Sequence, residues 1–213
     1  MTSLLLDDQV DAYITAGLHR LAALSEGDFR EVFDPLRGAA AELPQDAFPA
    51  DGVLPYVAVV ADALIDPAAR VPGLRLPGSA NEGILDRNHG EEGLAPYRDR
   101  PELEVPQAPA YLLVNVQRGD EFRDVAPLDA CAQIADRGRS PLTIAEGLSI
   151  TAAHPGFLKK NHCFMLAGSS RGDKRVPAIW ISQKAPKLGW CFDKVPHSWL
   201  GIASAAARRP VSA

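Results

Sequence analysis

Three short apolar runs in the last third of the chain restrict the fold more than any other feature. They span residues 162–167, 176–182 and 188–192, and the two connecting segments, 169–174 and 183–187, have the lengths of hairpin turns. Strands this close in sequence are typical of antiparallel hairpins, because parallel neighbours need a long crossover. The sequence therefore predicts a C-terminal antiparallel β-meander.

The N-terminal part of the chain favours helices. Apolar residues recur at helical spacing over residues 6–24, which predicts one amphipathic helix. Ser25, with Asp28 three residues later, has the pattern of a helix N-cap. Asp34-Pro35 then predicts a restarted helix as far as Leu43, because proline suits the first helical turn.

The middle of the chain mixes strands and helices without a βαβ alternation. Residues 54–64 are so continuously apolar that we expect a strand in the centre of a sheet. A second strand is expected at 110–117, and the further helices are expected at 66–74, 127–136 and 144–153. This order indicates an α+β fold with N-terminal helices, a mixed, largely antiparallel sheet and a C-terminal β-meander.

The length of 213 residues is compatible with one domain over 1–213. Within it we expect a helical segment at 1–50, an α+β core at 51–205 that includes a long irregular loop at 75–107, and a frayed tail at 206–213.

Charge and cysteine content exclude several functional classes. The formal net charge of −5 is unfavourable for a nucleic-acid partner, and three cysteines do not make a disulfide framework. The N-terminus lacks a signal-peptide pattern, and no apolar run reaches the roughly 20 residues that a membrane span needs. We therefore expect a cytoplasmic protein with no membrane partner.

The long loop carries the densest group of candidate functional residues. Its polar residues are Asp86, Arg87, Asn88, His89, Glu91 and Glu92. Histidine titrates near neutral pH, so we expect His89 to be the acid/base group, with Glu92 or Asp86 orienting its ring. The competing interpretation is that these are ordinary solvated loop charges.

A second candidate group lies where the last predicted strand ends. Together with Arg87, Asn88 and Tyr97 of the loop, the expected ligand-binding residues are Lys187, Trp190, His197 and Trp199. Tryptophan and histidine offer apolar walls with polar tips, which suits a pocket. We expect both groups to line one cavity; the alternative is that the tryptophans are core anchors.

A metal site is the third possibility. Cys163, Cys191 and His197 supply thiolate and imidazole ligands, and either cysteine could instead be a nucleophile. The spacing matches no zinc motif, and both cysteines lie in apolar strands, where they usually behave as small hydrophobes. Phosphate loops, dinucleotide fingerprints and the G-x-S-x-G elbow are absent from the sequence.

Five strings of the sequence carry a family resemblance. They lie at residues 86–90, 93–97, 163–168, 186–191 and 196–201. They resemble a domain family that has no assigned activity and is common in actinobacteria, and the resemblance spans roughly residues 53–205. It implies a bacterial cytoplasmic setting and assigns no catalytic residue.

The hypothesis that follows is a small-molecule enzyme or ligand-binding protein of bacterial metabolism. Its chemistry would be acid/base catalysis at the histidine-carboxylate group of the loop. The alternatives are a non-catalytic regulatory or scaffold protein that binds a protein partner, and a metal- or haem-binding protein that uses histidine and cysteine. The sequence names no cofactor, substrate or oligomeric state.

Overall fold

The computed structural model describes residues 5–44 and 51–210. Its α-helices, numbered in chain order, are α1 Leu6–Thr15, α2 Leu18–Leu21, α3 Glu26–Glu31, α4 Arg37–Ala41, α5 Pro67–Arg70, α6 Pro127–Asp136 and α7 Ile144–Ala153. Its strands are β1 Val53–Val60, β2 Ile84–Leu85, β3 Arg98–Asp99, β4 Ala110–Gln117, β5 Ser140–Pro141, β6 Cys163–Met165, β7 Ser169–Ser170, β8 Arg175–Ser182, β9 Ala185–Phe192, β10 Leu200–Ile202, β11 Ser204–Ala205 and β12 Ala207–Arg209.

The strands form two larger sheets and a small one, and most pairings are antiparallel. The first sheet has the order β1-β4-β11-β5, with β12 also paired to β4. The second has the order β10-β6-β8-β9-β2, and the third pairs β3 with β7. The hairpin β8–β9 is the predicted meander, whereas β10 and β2 join its sheet in parallel orientation. The α+β fold class is confirmed.

Both faces of the first sheet are buried because β1 and β4 alternate their side chains between two cores. On one face Tyr56, Ala58 and Leu112 pack against the N-terminal helices. On the other face Val57 and Leu113 join the larger core, which extends to the second sheet. This double burial explains why both strands read as continuous apolar runs. Among the described ranges no helix is long and apolar enough to cross a membrane.

Strand β1 corrects one prediction: it ends at Val60 and lies at a sheet edge rather than in the centre. Its outward backbone groups are satisfied by side chains instead of a strand. Gln9 accepts from the Ala58 amide at 2.9 Å, and Ser149 accepts from the Val60 amide at 3.1 Å. The buried Arg70 donates to the Val60 carbonyl at 2.7 Å. Because α1 and α7 bury it, the edge strand β1 has the continuous apolar sequence that is typical of a central strand.

The N-terminal helices differ from the prediction in one respect. The single helix expected over 6–24 is divided at Gly17, whose φ of 81° is in the left-handed region that ends a helix. The predicted N-cap is confirmed, since the Ser25 side chain accepts from the Asp28 amide. Residues 45–50 lie outside the described residues.

The C-terminal tail also differs from the prediction, because residues 207–209 form β12 instead of fraying. The strand pairs with β4, with Ala207 opposite Val114. Arg208 reaches the carboxylate of Glu146, which is fully buried at the first turn of α7. This ion pair fastens the tail onto the core. Residues 211–213 lie outside the described residues.

The long loop packs on the second sheet. β2 within the loop pairs with the edge of β9, with Leu85 opposite Leu188. Leu94 and Tyr97 are buried in the larger core. The loop is therefore held at both its start and its middle, which fixes the position of the polar residues between them.

Candidate functional site

A buried polar cluster lies where the long loop meets the segment that joins β7 to β8. We call it the His89 cluster, and it consists of His89, Tyr97 and Arg171. The imidazole and the phenol ring meet edge to face, with centroids 5.7 Å apart. The Arg171 guanidinium lies over the Tyr97 ring, 5.8 Å from its centroid. Two segments far apart in sequence therefore meet at this point.

Strand β9 positions the histidine end of the cluster. The Asp86 amide donates to the Leu188 carbonyl at 2.8 Å, which extends the pairing of β2 by one step. The Asp86 side chain caps the turn of 3-10 helix at residues 87–89 by accepting from the Asn88 amide at 3.0 Å. The Trp190 indole donates to the Asn88 carbonyl at 3.0 Å. These contacts leave His89 little freedom.

The members of the His89 cluster have unsatisfied polar atoms. Neither ring nitrogen of His89 makes a hydrogen bond of normal geometry, and the same holds for the Tyr97 hydroxyl and for Nη1 of Arg171. His89 is 3 % exposed and Tyr97 is 7 % exposed, so bulk water does not reach them freely. Native proteins pair the large majority of their buried side-chain polar atoms. Four such atoms on three adjacent residues therefore mark this cluster as unusual.

Burial and nearby charges set the protonation states of the cluster. Burial lowers the pKa of His89, while the Leu188 backbone and the Asp86 carboxylate oppose that change. Burial raises the pKa of Tyr97, although Arg171 opposes the rise. At neutral pH the histidine is accordingly uncharged, with one nitrogen as donor and the other as acceptor.

The two carboxylates expected to orient His89 have other partners. Asp86 forms an ion pair with Lys187, whose Nζ lies 2.8 Å from Oδ2. Glu92 is exposed and pairs with Arg171 at 3.3 Å. Asp86 thus acts on the histidine electrostatically and through the backbone turn, and Glu92 closes the outside of the cluster. Arg87 is exposed beside them.

The C-terminal candidates divide between the two faces of the second sheet. Lys187 and Trp190 are three residues apart in β9, so their side chains project to opposite faces. Trp190 faces the loop, whereas Lys187 lies over the Trp180 ring at 5.6 Å. Trp180 meets Trp199 with centroids 6.1 Å apart, and Trp199 in turn meets His197 at 5.6 Å.

The structure therefore brings together only part of the predicted pocket. The loop residues share a neighbourhood with Trp190, and Asp86 reaches Lys187 at the sheet edge. His197 and Trp199 instead form an aromatic row on the other face, and the partly buried Trp199 ring packs against the larger core. The expectation of one cavity lined by His89 and His197 does not agree with this arrangement.

The structure does not support the cysteine-based alternatives. Cys191 pairs with Val176, while the register of β6 places Cys163 next to Trp180, four residues further along β8. That offset corresponds to about 13 Å, which is too far for one metal ion. In the described part of the chain no group of three or more His, Cys, Asp or Glu residues could hold a metal.

The thiols are also poor nucleophiles. Burial raises the pKa of Cys191 to about 11 and also raises the pKa of Cys163. The reactive form of a cysteine is the thiolate, which these shifts suppress at neutral pH. Cys163 is buried and Cys191 is partly buried, so both behave as small hydrophobes, as is usual for cysteines in apolar strands.

A groove that the sequence analysis missed adjoins the His89 cluster. We call it the arginine groove; its volume is about 410 Å³. Its polar lining residues are Arg98, Asp99, Arg100, Glu102, Ser170 and Arg171. Arg171 belongs to both the groove and the cluster. In the sequence it lies in a hairpin turn, where a charged residue normally indicates solvent exposure, so no pattern signalled its role.

A second polar network, around Arg118, differs from the His89 cluster because its members have partners. The Arg118 guanidinium is 1 % exposed and holds both carboxylate oxygens of Asp120, at 3.0 and 2.6 Å. Nδ1 of His162 lies 3.0 Å from Asp120, and the Phe157 carbonyl accepts from Arg118 at 2.9 Å. These bonds connect the end of β4 to the start of β6, which is a structural role.

Comparison with known proteins places the chain in a family. No curated protein matches it, and no solved structure matches it. One family model, that of a family of unknown function called DUF5701, matches residues 12–211. The match includes every residue of the His89 cluster and of the arginine groove. The chain therefore belongs to the DUF5701 family.

Proposed function

We propose that the chain is a small-molecule enzyme or ligand-binding protein of bacterial metabolism, acting in the cytoplasm, with its site at the His89 cluster. The observation that supports this proposal is the set of unsatisfied polar atoms on His89, Tyr97 and Arg171. Each buried group without a partner costs about 1–3 kcal/mol. A small polar ligand would satisfy all three at once, which explains why they occur together.

The chemistry that suits this site is acid/base catalysis by His89. Burial lowers the pKa of His89, so at neutral pH the ring has a free acceptor nitrogen that can take a proton from a ligand. The carboxylate of Asp86 stabilises the charged ring that results, since its electrostatic effect raises the pKa of His89. Tyr97 and Arg171 supply donors for the ligand's oxygen atoms.

Access to the buried histidine requires the segment between Gly90 and Pro96 to move. Gly90 and Gly93 both have positive φ, of 76° and 56°, at the two ends of its first turn. The Glu92–Arg171 ion pair fastens the segment from outside, and Glu92 is 69 % exposed. Exposed pairs contribute only about 0–1 kcal/mol, so the main cost of opening the segment is the exposure of Leu94, which is buried in the larger core.

A second candidate function, contact with a protein partner, is favoured by one apolar surface. Leu128, Phe192 and Val195 are 54 %, 51 % and 43 % exposed. Backbone hydrogen bonds hold them together, since the Leu128 amide donates to Asp193 and the Val195 amide to Phe192. Neighbouring exposed apolar residues are typical of interaction sites. Phe192 of this surface meets Trp190, with ring centroids 5.1 Å apart, and the Trp190 indole donates to the Asn88 carbonyl, so the surface adjoins the loop that carries His89.

A thermal-shift panel tests the proposal. Amino acids, dicarboxylates, nucleosides and sugar phosphates are screened against the wild type, His89→Gln and His197→Gln. We expect at least one class to raise the melting temperature of the wild type and of His197→Gln but not of His89→Gln. Stabilisation that persists in His89→Gln, or a panel without any stabilising compound, would contradict the proposal.

A further inference from the structure

The arginine groove narrows the chemical class of the ligand. The geometry points to an oxyanion, a carboxylate or a phosphate group, that binds at Arg98 and Arg100 while the rest of the ligand reaches His89 past Arg171. This inference rests on the proposed function, because it assigns the ligand class of the same site. Its first basis is position: Arg171 lines the groove and also lies over the Tyr97 ring.

The second basis is that backbone carbonyls hold these arginines in place without neutralising them. Nη1 of Arg98 donates to the carbonyls of Ala95 and Tyr97, at 2.5 and 2.6 Å. Nε of Arg100 donates to the Ala167 carbonyl at 2.7 Å. A guanidinium fixed in this way has little conformational entropy left to lose when it binds an anion.

The positive charge of Arg98 and Arg100 is poorly compensated by carboxylates. Over residues 5–44 and 51–210, no carboxylate forms an ion pair with Arg98, and the nearest partner of Arg100 is Glu102 at 3.8 Å. Glu102 is 66 % exposed, so water screens this pair strongly. Two guanidinium groups therefore present unshared charge to one groove.

The remaining acid of the groove, Asp99, has a hydrogen-bond partner of its own. Asp99 accepts a hydrogen bond from the Ser169 hydroxyl at 2.9 Å, which turns one of its oxygen atoms toward the start of α7. The lining of the groove has three arginines and two carboxylates, which favours an anion over a cation.

The volume of the groove limits the size of the ligand. About 410 Å³ is near the lower end of the range for small-molecule sites, which is roughly 300–1,000 Å³. Planar guanidinium groups match the geometry of carboxylate and phosphate oxygens in two-point hydrogen bonding. A small metabolite with one such group fits both limits.

Calorimetric titration with inorganic phosphate and with succinate tests the inference and separates the two anions. The variant is Arg98→Gln, and the matched control is Arg20→Gln, an exposed arginine of α2 that does not line the groove. We expect Arg98→Gln to weaken binding of one of the two anions at least tenfold, as for the loss of one charge-assisted hydrogen bond. Arg20→Gln should change affinity less than twofold, and Arg98→Lys should fall between them.

Tenfold weakening of phosphate alone assigns a phosphate ligand, and weakening of succinate alone assigns a carboxylate. Equal affinities of Arg98→Gln and Arg20→Gln, or binding of neither anion by the wild type, would overturn the inference. His89→Gln distinguishes it from the proposed function: anion affinity that persists in His89→Gln supports the inference, and the proposed function is then judged separately by the thermal-shift panel. Unfolding midpoints of all variants control for loss of the fold.

Discussion

Replacing Arg208 by Met removes the positive half of a buried ion pair and leaves Glu146 alone in the core. Two bonds join the pair, Nε to Oε1 at 2.6 Å and Nη2 to Oε2 at 2.9 Å, and the two side chains are 5 % and 0 % exposed. After the change the carboxylate keeps the Tyr111 hydroxyl at 2.9 Å and the Thr143 amide at 2.7 Å. Two neutral donors do not replace a guanidinium.

The expected loss is large relative to the stability of a domain of this size. Breaking a buried pair by removing one partner costs about 3–5 kcal/mol, against typical total stabilities of roughly 5–15 kcal/mol. Urea unfolding followed by circular dichroism measures it, with an unchanged m-value confirming that both proteins unfold alike. Arg209→Met is the matched control. Its arginine is 44 % exposed and 3.8 Å from Glu42, so we expect a change below about 0.5 kcal/mol.

A double variant, Glu146→Gln with Arg208→Met, separates the charge effect from lost packing. Glutamine keeps the reciprocal hydrogen bonds of the capping box at the start of α7, and methionine fills the space of the arginine stem. We expect it to recover most of the lost stability, because neutral replacement of a buried pair is often harmless. A single-variant loss below about 1 kcal/mol would refute the reasoning and show that the tail does not cover Glu146.

Three further predictions concern stability. Tyr97→Phe should be neutral or stabilising by up to about 1 kcal/mol in urea unfolding, because the removed hydroxyl has no hydrogen bond of normal geometry. Tyr111→Phe loses a bond to a buried carboxylate and should cost about 1–3 kcal/mol, so equal losses in the two variants would contradict this prediction. Burial lowers the pKa of His154 from 6.5 to about 4, so the free energy of unfolding should fall by roughly 3 kcal/mol as the pH drops from about 6.5 to 4. His154→Gln should remove that part of the dependence of stability on pH, and an unaltered dependence would count against this prediction. Gly189→Ala should cost about 1–3 kcal/mol because a Cβ there meets an indole ring of the neighbouring strand, while Gly156→Ala, with open space around it, should show no such steric loss.

Local sequence patterns predicted several elements to the residue. β4 occupies 110–117, α6 occupies 127–136 and α7 occupies 144–153, as expected. These elements have strong local signals, such as the proline at the first turn of α6 and the capping box at Thr143. Their boundaries depend on contacts within a few residues, which a single sequence displays.

Long-range contacts account for the features that the sequence did not predict. A continuous apolar run cannot distinguish a central strand from the edge strand β1, because side chains of Gln9 and Ser149 replace the missing neighbour. The alanine- and arginine-rich tail has no strand pattern, and only its distant partners β4 and Glu146 fix it.

The candidate site likewise combines residues that the sequence could identify with residues that only the fold brings together. His89 and Tyr97 were identifiable because a histidine and a buried aromatic residue stand out in a loop rich in glycine and proline. Arg171, Arg98 and Arg100 were not, since arginines in turns normally face solvent and only the fold brings them into one groove. The assignment of His197 to the same cavity did not agree with the structure because residue spacing alone does not reveal which sheet face a side chain occupies.

The most direct test of the account follows the His89 imidazole by ¹⁵N NMR, with His89→Gln used to assign its resonances. The account predicts a pKa below the ordinary 6.5 in the free protein, because burial disfavours the charged ring. It also predicts a saturable change of the same resonances when inorganic phosphate, succinate or a compound that stabilises the protein is added. A ring that titrates at or above 6.5 and does not respond to any of these compounds would contradict the central claim that the His89 cluster is a ligand site.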